Sequence, residues 1–345
     1  MLYVTTRTDR DAYTNHPVLN ADRGADGGLF VPRQMPSFAE AELEEVAGRS
    51  FNQNVAHILG LLYRQKVTDR DIDLVIGKHP MGLLELNSRT LVARIWHNSD
   101  WSFREFIHRL FRIFVKDPAE TPGAWFLMSV RIAVLFGIYG ELMARGLVSA
   151  RQPLDISVPS DDFQFPMAAW YARSWGLPIG SIICCCNENN APWSLLHQGE
   201  MRTDSKVRHT YTAACDQAVP AGLERLISAV LGQEEARRFA AAAADGRLYK
   251  LEAAQQEQLR RGMFVSVVSQ RRMEFIIPNL CRSGRWIPDP YAAMAYAGLV
   301  DHRASPGDTG MALIVSEENP VFSAEMLSRV MDITADDLRS RLENG

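Results

Sequence analysis

The clearest hydrophobic pattern in the chain lies between residues 102 and 114. Six large apolar residues recur there at positions i, i+3, i+4, i+7, i+8 and i+11, so they share one face of a helix. These residues are Phe103, Phe106, Ile107, Leu110, Phe111 and Phe114. Ser102, followed three residues later by Glu105, has the spacing of a capping box, which predicts that the helix begins here. Arg104 is therefore expected in its first turn.

A second pattern spans residues 154–186 and predicts a βαβ unit. LDISV is typical of a buried strand, QFPMAAWYARSW of a helix ended by Gly176, and SIICCC of a second buried strand. The turn at residues 159–163 should then lie at the carboxyl edge of a parallel sheet, where α/β proteins bind their ligands. We expect any cleft chemistry at this edge.

Other segments support an α/β fold class. Two short apolar runs around Asn87 and Ser88 predict a hairpin between Leu83 and Trp96. The second half of the chain is rich in predicted helices, above all at residues 233–261, and closes with the strand MALIV and a helix after Thr334. The pattern excludes an all-α protein.

Composition narrows the class of protein further. The 345 residues are 47% hydrophobic and 23% charged, as in folded soluble proteins. A net charge of -4 provides no basic surface for nucleic acid, and the polar N-terminus has none of the zones of a signal peptide. Arg131 interrupts the apolar run from Ala124 to Gly140, which we interpret as a buried core helix too short to span a membrane. We expect a cytoplasmic protein that binds neither nucleic acid nor membrane.

Cysteine and histidine spacing does not indicate a metal site. Cys184, Cys185 and Cys186 are consecutive in a predicted strand, so their side chains alternate between its faces and cannot converge on one ion. The histidines at positions 197, 209 and 302 lack ligand spacing. The five cysteines fit a reducing compartment; we interpret the run of three as buried, reduced thiols and predict no metal.

Several segments resemble threonine synthase. YVTTR at residues 3–7 and ADGGLFVP at residues 25–32 are similar to the start of that family. Residues 96–105, WHNSDWSFRE, align without a gap with the family's F-H-G-P-T-L-A-F-K-D, whose lysine forms a Schiff base with pyridoxal phosphate (PLP). Arg104 falls on that lysine. Further similarities lie at residues 157–165 (family loop V-P-T-G-N-F-G-N), 187–189, 222–226, 289–299 and 316–322.

The resemblance implies a PLP fold-type-II-like large lobe, with a parallel-rich sheet flanked by helices. The small lobe should be largely missing, because Val115 leads within a few residues to Trp125. The expected organisation is an N-terminal threonine-synthase-like segment at residues 1–115, with a degenerate lysine helix, and an α/β large lobe at residues 116–345 that contains the βαβ unit at 154–186.

The chemistry of the family should be lost. Arginine stays protonated and is not nucleophilic, so Arg104 cannot form a Schiff base, although it could contact a phosphate or carboxylate or simply face solvent. Asp161, Asp162, Gln164 and Phe165 replace the loop glycines that would bind a phosphate. We interpret Asp161 and Asp162 first as caps of the following helix and second as a catalytic pair. No cofactor is expected; PLP held without a Schiff base by Arg104 is a remaining alternative.

If the family fold is retained, polar residues from two sides should meet in the old cleft. The candidate catalytic residues are His97, Arg104, Asp161 and Asp162. The candidate substrate-binding residues are Asn98, Ser99, Ser160, Asn187 and Glu188. These residues predict a PLP-independent enzyme for an amino-acid-like or phosphorylated small molecule, in specialised amino-acid metabolism. The alternative is a non-catalytic pseudoenzyme that acts as a partner or regulatory subunit, whose exposed apolar surface is covered by a second copy or another protein.

Overall fold

The computed structural model describes residues 1–77, 81–95, 102–282, 286–304 and 310–343. Its strands form one six-stranded sheet and two small two-stranded sheets. The strands are β1 (Tyr3–Thr5), β2 (Phe30–Pro32), β3 (Gly82–Asn87), β4 (Thr90–Arg94), β5 (Leu154–Pro159), β6 (Ile179–Cys186), β7 (Glu200–Arg202), β8 (Leu248–Lys250), β9 (Met263–Val267) and β10 (Met311–Ser316).

The helices account for most of the remaining described residues. The N-terminal half contains α1 (Asn15–Asn20), α2 (Glu40–Ala47), α3 (Phe51–Tyr63), α4 (Asp69–Ile76), α5 (Phe103–Phe114), α6 (Ala124–Ala144) and α7 (Gln164–Ser174). The C-terminal half contains α8 (Ala191–Trp193), α9 (Gly222–Leu231), α10 (Gln233–Ala244), α11 (Ala253–Arg260), α12 (Gln270–Arg282), α13 (Pro290–Arg303), α14 (Ala324–Met331) and α15 (Ala335–Glu343). A π-helical turn (Ser194–Gln198) and two 3-10 turns (Ala213–Cys215 and Pro320–Ser323) complete the described elements.

The main sheet has the order β3-β4-β10-β5-β6-β9. Within this sheet, the described β3–β4 pair is antiparallel, which confirms the predicted hairpin. The other described pairs of the main sheet are parallel. Strands β5 and β6 are parallel neighbours joined through α7, as the βαβ pattern predicts. The fold is thus α/β with a mostly parallel mixed sheet between helices.

Each face of the sheet carries its own hydrophobic core. Helices α3, α6 and α7 cover one face, and α12, α13 and α14 cover the other. Strand β6 shows the alternation directly, because Cys184 and Cys186 lie in the first core and Cys185 lies in the second. All three thiols are buried and unpaired, as expected from the sequence.

Helix α5 begins where its sequence predicts. The Ser102 hydroxyl accepts a hydrogen bond from the Glu105 backbone N–H at 3.2 Å, which caps the first turn. The reciprocal half of the predicted capping box is not made, because the Glu105 carboxylate instead accepts hydrogen bonds from Arg109. The apolar face of α5 is buried, and residues 115–123 connect it to α6 without an intervening helix or strand.

Helix α6 is longer than its sequence predicts. It extends to Ala144 and, among the described helices, it alone has the length and apolar composition to cross a membrane. We expected Arg131 to limit the length of the apolar helix, but the helix continues through it. Because 78% of its most apolar stretch is buried inside the protein, the finding is weak evidence for a membrane span. The burial fits the predicted core helix.

The N-terminal segment packs firmly against the rest of the chain. The Glu224 carboxylate on α9, which is nearly fully buried, accepts hydrogen bonds from the Thr6 hydroxyl at 2.5 Å and from Arg7 at 2.9 and 3.0 Å. Tyr3 donates a hydrogen bond to the carbonyl of Leu62. Residues on both sides of position 115 thus contribute to the core that contains α6.

Candidate functional site

A cavity of about 460 Å³ lies between α5 and the carboxyl edge of the main sheet. Its walls are formed mainly by the start of α5, the first half of α6, the β5–α7 turn and the residues after β10. Its charged lining residues are Arg104, Arg131, Asp161, Glu317 and Glu318. The cavity therefore lies at the sheet edge where the βαβ pattern predicts a ligand, and two arginines face three carboxylates in it.

Arg131 is the central cation of this cavity. Its guanidinium binds Glu317 through two hydrogen bonds of 2.9 and 2.8 Å, and it binds the Asp161 carboxylate at 2.7 Å. The rings of Phe103 and Phe165 flank it, with centroids 5.5 and 5.3 Å from its central carbon. Burial works to lower the pKa of Arg131, but the charges of Glu317 and Asp161 outweigh burial and raise it. The guanidinium therefore stays charged, and it forms an ion pair with each of the two carboxylates.

The β5–α7 turn holds Asp161 in an unusual backbone conformation. Asp161 has φ 46° and Phe163 has φ 58°, both in the left-handed region that favours glycine. Asp161 replaces a glycine of the loop that this segment resembles, so the turn has a glycine-like shape but carries a carboxylate. The Asp161 backbone N–H donates to the Cys215 sulfur at 3.2 Å, and Arg131 binds its carboxylate. These contacts stabilise a conformation that costs about 1–3 kcal/mol.

Asp161 and Asp162 do not cap α7, so the interpretation of this pair as caps of the following helix was wrong. Phe163 is the residue before α7, and no side chain caps that helix. Asp162 instead accepts a hydrogen bond from the backbone N–H of Ala221, at 2.6 Å, just before α9. Burial, reinforced by the neighbouring Asp161, raises the pKa of Asp162 to about 6. The capping interaction therefore serves a helix that is distant in sequence.

The end of β10 adds further acidic groups. Burial raises the pKa of Glu318 to about 7, and the nearby carboxylates of Asp289 and Glu317 add to the rise. Asp289 caps α13 through the backbone N–H groups of Tyr291 and Ala292, and it accepts a hydrogen bond from Ser316 at 2.7 Å. Burial also raises the pKa of Asp289, to about 6. The pKa values of Glu318 and Asp289 are thus both raised towards neutral pH.

The α5 wall presents two basic side chains. Arg104 and His108, which is one turn later, both line the cavity, so they lie on the same side of α5. Arg104 is exposed and His108 is half-buried. Burial lowers the pKa of His108, and the charges of Arg104 and Arg112 lower it further. His108 is therefore neutral at physiological pH and can accept a proton.

The structure brings some of the predicted site residues together. Arg104 and Asp161 both line the cavity. Asp162 and Ser160 are in the same turn, but Ser160 is buried and its backbone N–H donates to the Cys185 carbonyl at 2.7 Å. His97, Asn98 and Ser99 lie outside the described residues.

Asn187 and Glu188 lie away from this cavity. The Asn187 amide donates to Thr210, Thr212 and Asp216, so it fastens the segment that follows the π-helical turn and β7. Glu188 accepts a hydrogen bond from the backbone N–H of Gln270 at 2.8 Å and lines a separate cavity of about 500 Å³. The structure thus does not bring these two residues to Arg104.

Other residues of the cavity were not among the sequence candidates. Arg131, His108, Glu317, Glu318 and Tyr291 all line it. Two signals were available in the sequence. Arg131 is the only charged residue in the apolar run that opens α6, and His108 is four residues after Arg104 on the predicted helix. The carboxylates after β10 had no such local signal.

Comparisons with known proteins agree with this fold. A family model described as "Threonine synthase N terminus" matches residues 2–79. "Threonine synthase-like 1" of Homo sapiens is 24% identical over 212 residues, which cover 60% of this chain but only 28% of that protein. Threonine synthase of Pseudomonas aeruginosa is 25% identical over 118 residues, 32% of this chain and 25% of that protein. The match thus spans about a quarter of the length of each of these two relatives.

Solved structures are similar over almost the whole chain. A PLP-bound threonine synthase from Brucella melitensis has a TM-score of 0.82 at 14% identity, covering 96% of this chain and 92% of that one. Threonine synthase from yeast has a TM-score of 0.80 at 14% identity, covering 96% and 90%. At such identities the likeness shows the fold alone. The chain is therefore similar to threonine synthases in its N-terminal sequence, and it shares their fold.

Proposed function

We propose that this protein is a PLP-independent threonine synthase-like enzyme that binds an amino-acid-like or phosphorylated small molecule in the cavity beside α5. The observation that carries the proposal is the position of Arg104. It aligns with the cofactor lysine of the resembled family, and it lines an open cavity whose described lining residues include no lysine. Arginine cannot form a Schiff base, so the chemistry must proceed without one.

The residues around the cavity do not fit PLP. A phosphate dianion is bound by backbone N–H groups and positive charge at a helix N-terminus. Here the carboxylate of Asp161 lies at the turn before α7, and Glu317 and Glu318 line the same cavity. Arg131 is already bound by two carboxylates. The turn would therefore repel the phosphate that it would have to hold.

Proton transfer is the chemistry that these side chains support. An efficient general acid or base has a pKa near the working pH, and the pKa of Glu318 is about 7. His108, whose pKa is lowered, is a neutral acceptor on the opposite wall. We propose Glu318 as the principal acid/base group and His108 as the second.

A second candidate function is a non-catalytic partner or regulatory protein that has kept the fold. The observation that favours it is that three carboxylates at the sheet edge have structural partners. Arg131 binds Asp161 and Glu317, and Ala221 binds Asp162. In that case a ligand would be bound but not converted.

The first test is a native mass spectrum of the purified protein together with its visible absorbance, before and after addition of PLP. The proposal expects a colourless protein, and a colourless Arg104→Lys variant as well, because the phosphate site does not fit. Arg109→Lys is the matched control, since Arg109 lies on the same helix and binds Glu105 rather than lining the cavity. A yellow wild-type protein with a PLP-sized adduct would overturn the proposal. Conversion of a co-purified small molecule would favour the enzyme over the partner role.

A further inference from the structure

The charges of the cavity are not equally available to a ligand. Arg131, Asp161 and Glu317 neutralise one another in a buried cluster. Glu318 and Arg104 also line the cavity, and no ion pair joins either of them to another described residue. The charges that can meet a ligand are therefore one carboxylate after β10 and one guanidinium on the first turn of α5.

Gln164 adds an independent observation at the same cavity. Its side chain lines the wall and is only 8% exposed. A hydrogen bond from the Gln164 amide helps to lower the pKa of Asp162. Because a carboxylate accepts hydrogen bonds, the amide nitrogen is the atom that faces Asp162. The amide oxygen is buried, and it has no hydrogen-bond partner among the described residues. Buried polar atoms are normally hydrogen-bonded, so Gln164 leaves one acceptor without a partner among the described residues beside this cavity.

We infer that the cavity takes an unphosphorylated molecule that carries both an ammonium group, bound by Glu318, and a carboxylate, bound by Arg104. The inference rests on the proposed function and decides between its two ligand classes. An ammonium group donates hydrogen bonds in three directions, and its positive charge would be the counter-charge for the Glu318 carboxylate. A guanidinium binds a carboxylate through paired hydrogen bonds.

A phosphate group is disfavoured on the same grounds. Three carboxylates line the cavity, and Arg131, the cavity-lining arginine that binds the β5–α7 turn, already has two carboxylate partners among the described residues. A dianion would have to displace one of them or lie beside unpaired negative charge in a partly buried site, where repulsion is weakly screened. The turn that resembles a phosphate loop has thus become part of an acidic wall.

The test uses the full-length wild-type protein and ligand-observed NMR at neutral pH. The probes are the standard amino acids, O-phospho-L-serine, O-phospho-L-threonine and inorganic phosphate. For the best binder, analogues that lack either the amino group or the carboxylate are added. We expect at least one unphosphorylated amino acid to bind, and each missing group to weaken binding about tenfold or more, as for a lost charge-assisted contact.

Glu318→Gln tests the assigned ammonium contact. It should weaken the best binder about tenfold, whereas Glu325→Gln, an exposed change on α14, should leave affinity unchanged. The comparison of serine and threonine with their phosphorylated forms needs no variant, so it stands even if Glu318→Gln does not fold. Tighter binding of the phosphorylated forms would overturn the inference and leave the proposed function in place. Binding of no probe from either class would overturn both, and unchanged binding by Glu318→Gln would overturn the role of Glu318.

Discussion

The two walls of the cavity use their charged residues differently. On the α5 wall, Arg104 is exposed and has no ion-pair partner among the described residues, and His108 is half-buried and neutral. On the sheet-edge wall, Asp161 and Glu317 are bound by Arg131, and Asp162 is bound by the backbone before α9. The basic residues of the α5 wall are therefore free to bind a ligand, whereas most charged residues of the sheet-edge wall (the edge wall) stabilise the fold.

The difference follows from burial. The side chains of Arg131, Asp161 and Glu317 are 12, 17 and 13% exposed, so each charge has lost most of its water and needs a partner. A charge on the first turn of a surface helix has no such requirement. Polar residues at the ligand-binding edge of a sheet can therefore be structural. Of the carboxylates on the edge wall, Glu318 is the one that lines the cavity and has no ion-pair partner among the described residues.

The largest effect should come from Arg131→Met, which breaks the edge wall at its centre. The change leaves Asp161 and Glu317 as buried carboxylates without a counter-charge. We expect the free energy of unfolding to fall by about 3–5 kcal/mol, as for other buried ion pairs that lose one partner. Urea denaturation of the variant and the wild type measures the difference.

Arg145→Met is the matched control on the same helix. Arg145 binds Glu141 one turn away, and its side chain is 48% exposed, so its loss should cost less than about 1 kcal/mol. Adding Glu317→Gln to Arg131→Met should restore part of the lost stability, because it removes one of the stranded charges. If Arg131→Met and Arg145→Met cost the same, the edge wall is not held by this cluster.

The sequence predicted the α5 wall better than the edge wall. The apolar spacing of residues 103–114 and the hydroxyl of Ser102 fix the start and the buried face of α5 through local contacts alone. Arg104 could therefore be placed in its first turn without a structure. The βαβ unit was predictable for the same reason, since its strands and helix each have a local pattern.

The partners of the edge wall could not be predicted in this way. Arg131 and Glu317 are 186 positions apart, and Ala221 is 59 positions from Asp162. Nothing in their local sequence connects them, so Asp161 and Asp162 were assigned to the nearest helix end, which neither of them caps. Tertiary contacts overrode a reasonable local rule.

The second effect concerns Glu318, the cavity-lining carboxylate of the edge wall that has no ion pair among the described residues. The pKa of Glu318 is raised from an ordinary 4.5 to about 7, so folding favours its protonated form. Its contribution to stability is complete below pH 4.5 and is lost as the pH rises through about 7. Asp289, Glu317 and Arg131 face it, together with the Phe103 backbone N–H.

Glu318→Gln should remove this part of the pH dependence. Each pKa unit corresponds to about 1.4 kcal/mol, and partial exposure reduces the total, so we expect the variant to gain on the order of 2 kcal/mol over the wild type between acidic and mildly basic pH. Urea denaturation at a series of pH values measures the gain. Glu325→Gln, which is exposed on α14, should follow the wild-type curve. A difference between Glu318→Gln and the wild type that does not change with pH contradicts the raised pKa.

The smallest effect should come from Ser102→Ala on the α5 wall. The change removes the hydroxyl that accepts the Glu105 backbone N–H, and loss of such a cap costs about 1 kcal/mol. Ser102→Asn keeps an acceptor at the same position and should recover most of that stability. Because Arg104 lies in the turn that the cap holds, Ser102→Ala should also weaken binding of a carboxylate ligand, whereas Ser102→Asn should not. Equal affinities for the two variants would mean that Arg104 reaches the ligand without an ordered first turn, and the α5 wall would then be adaptable rather than preformed.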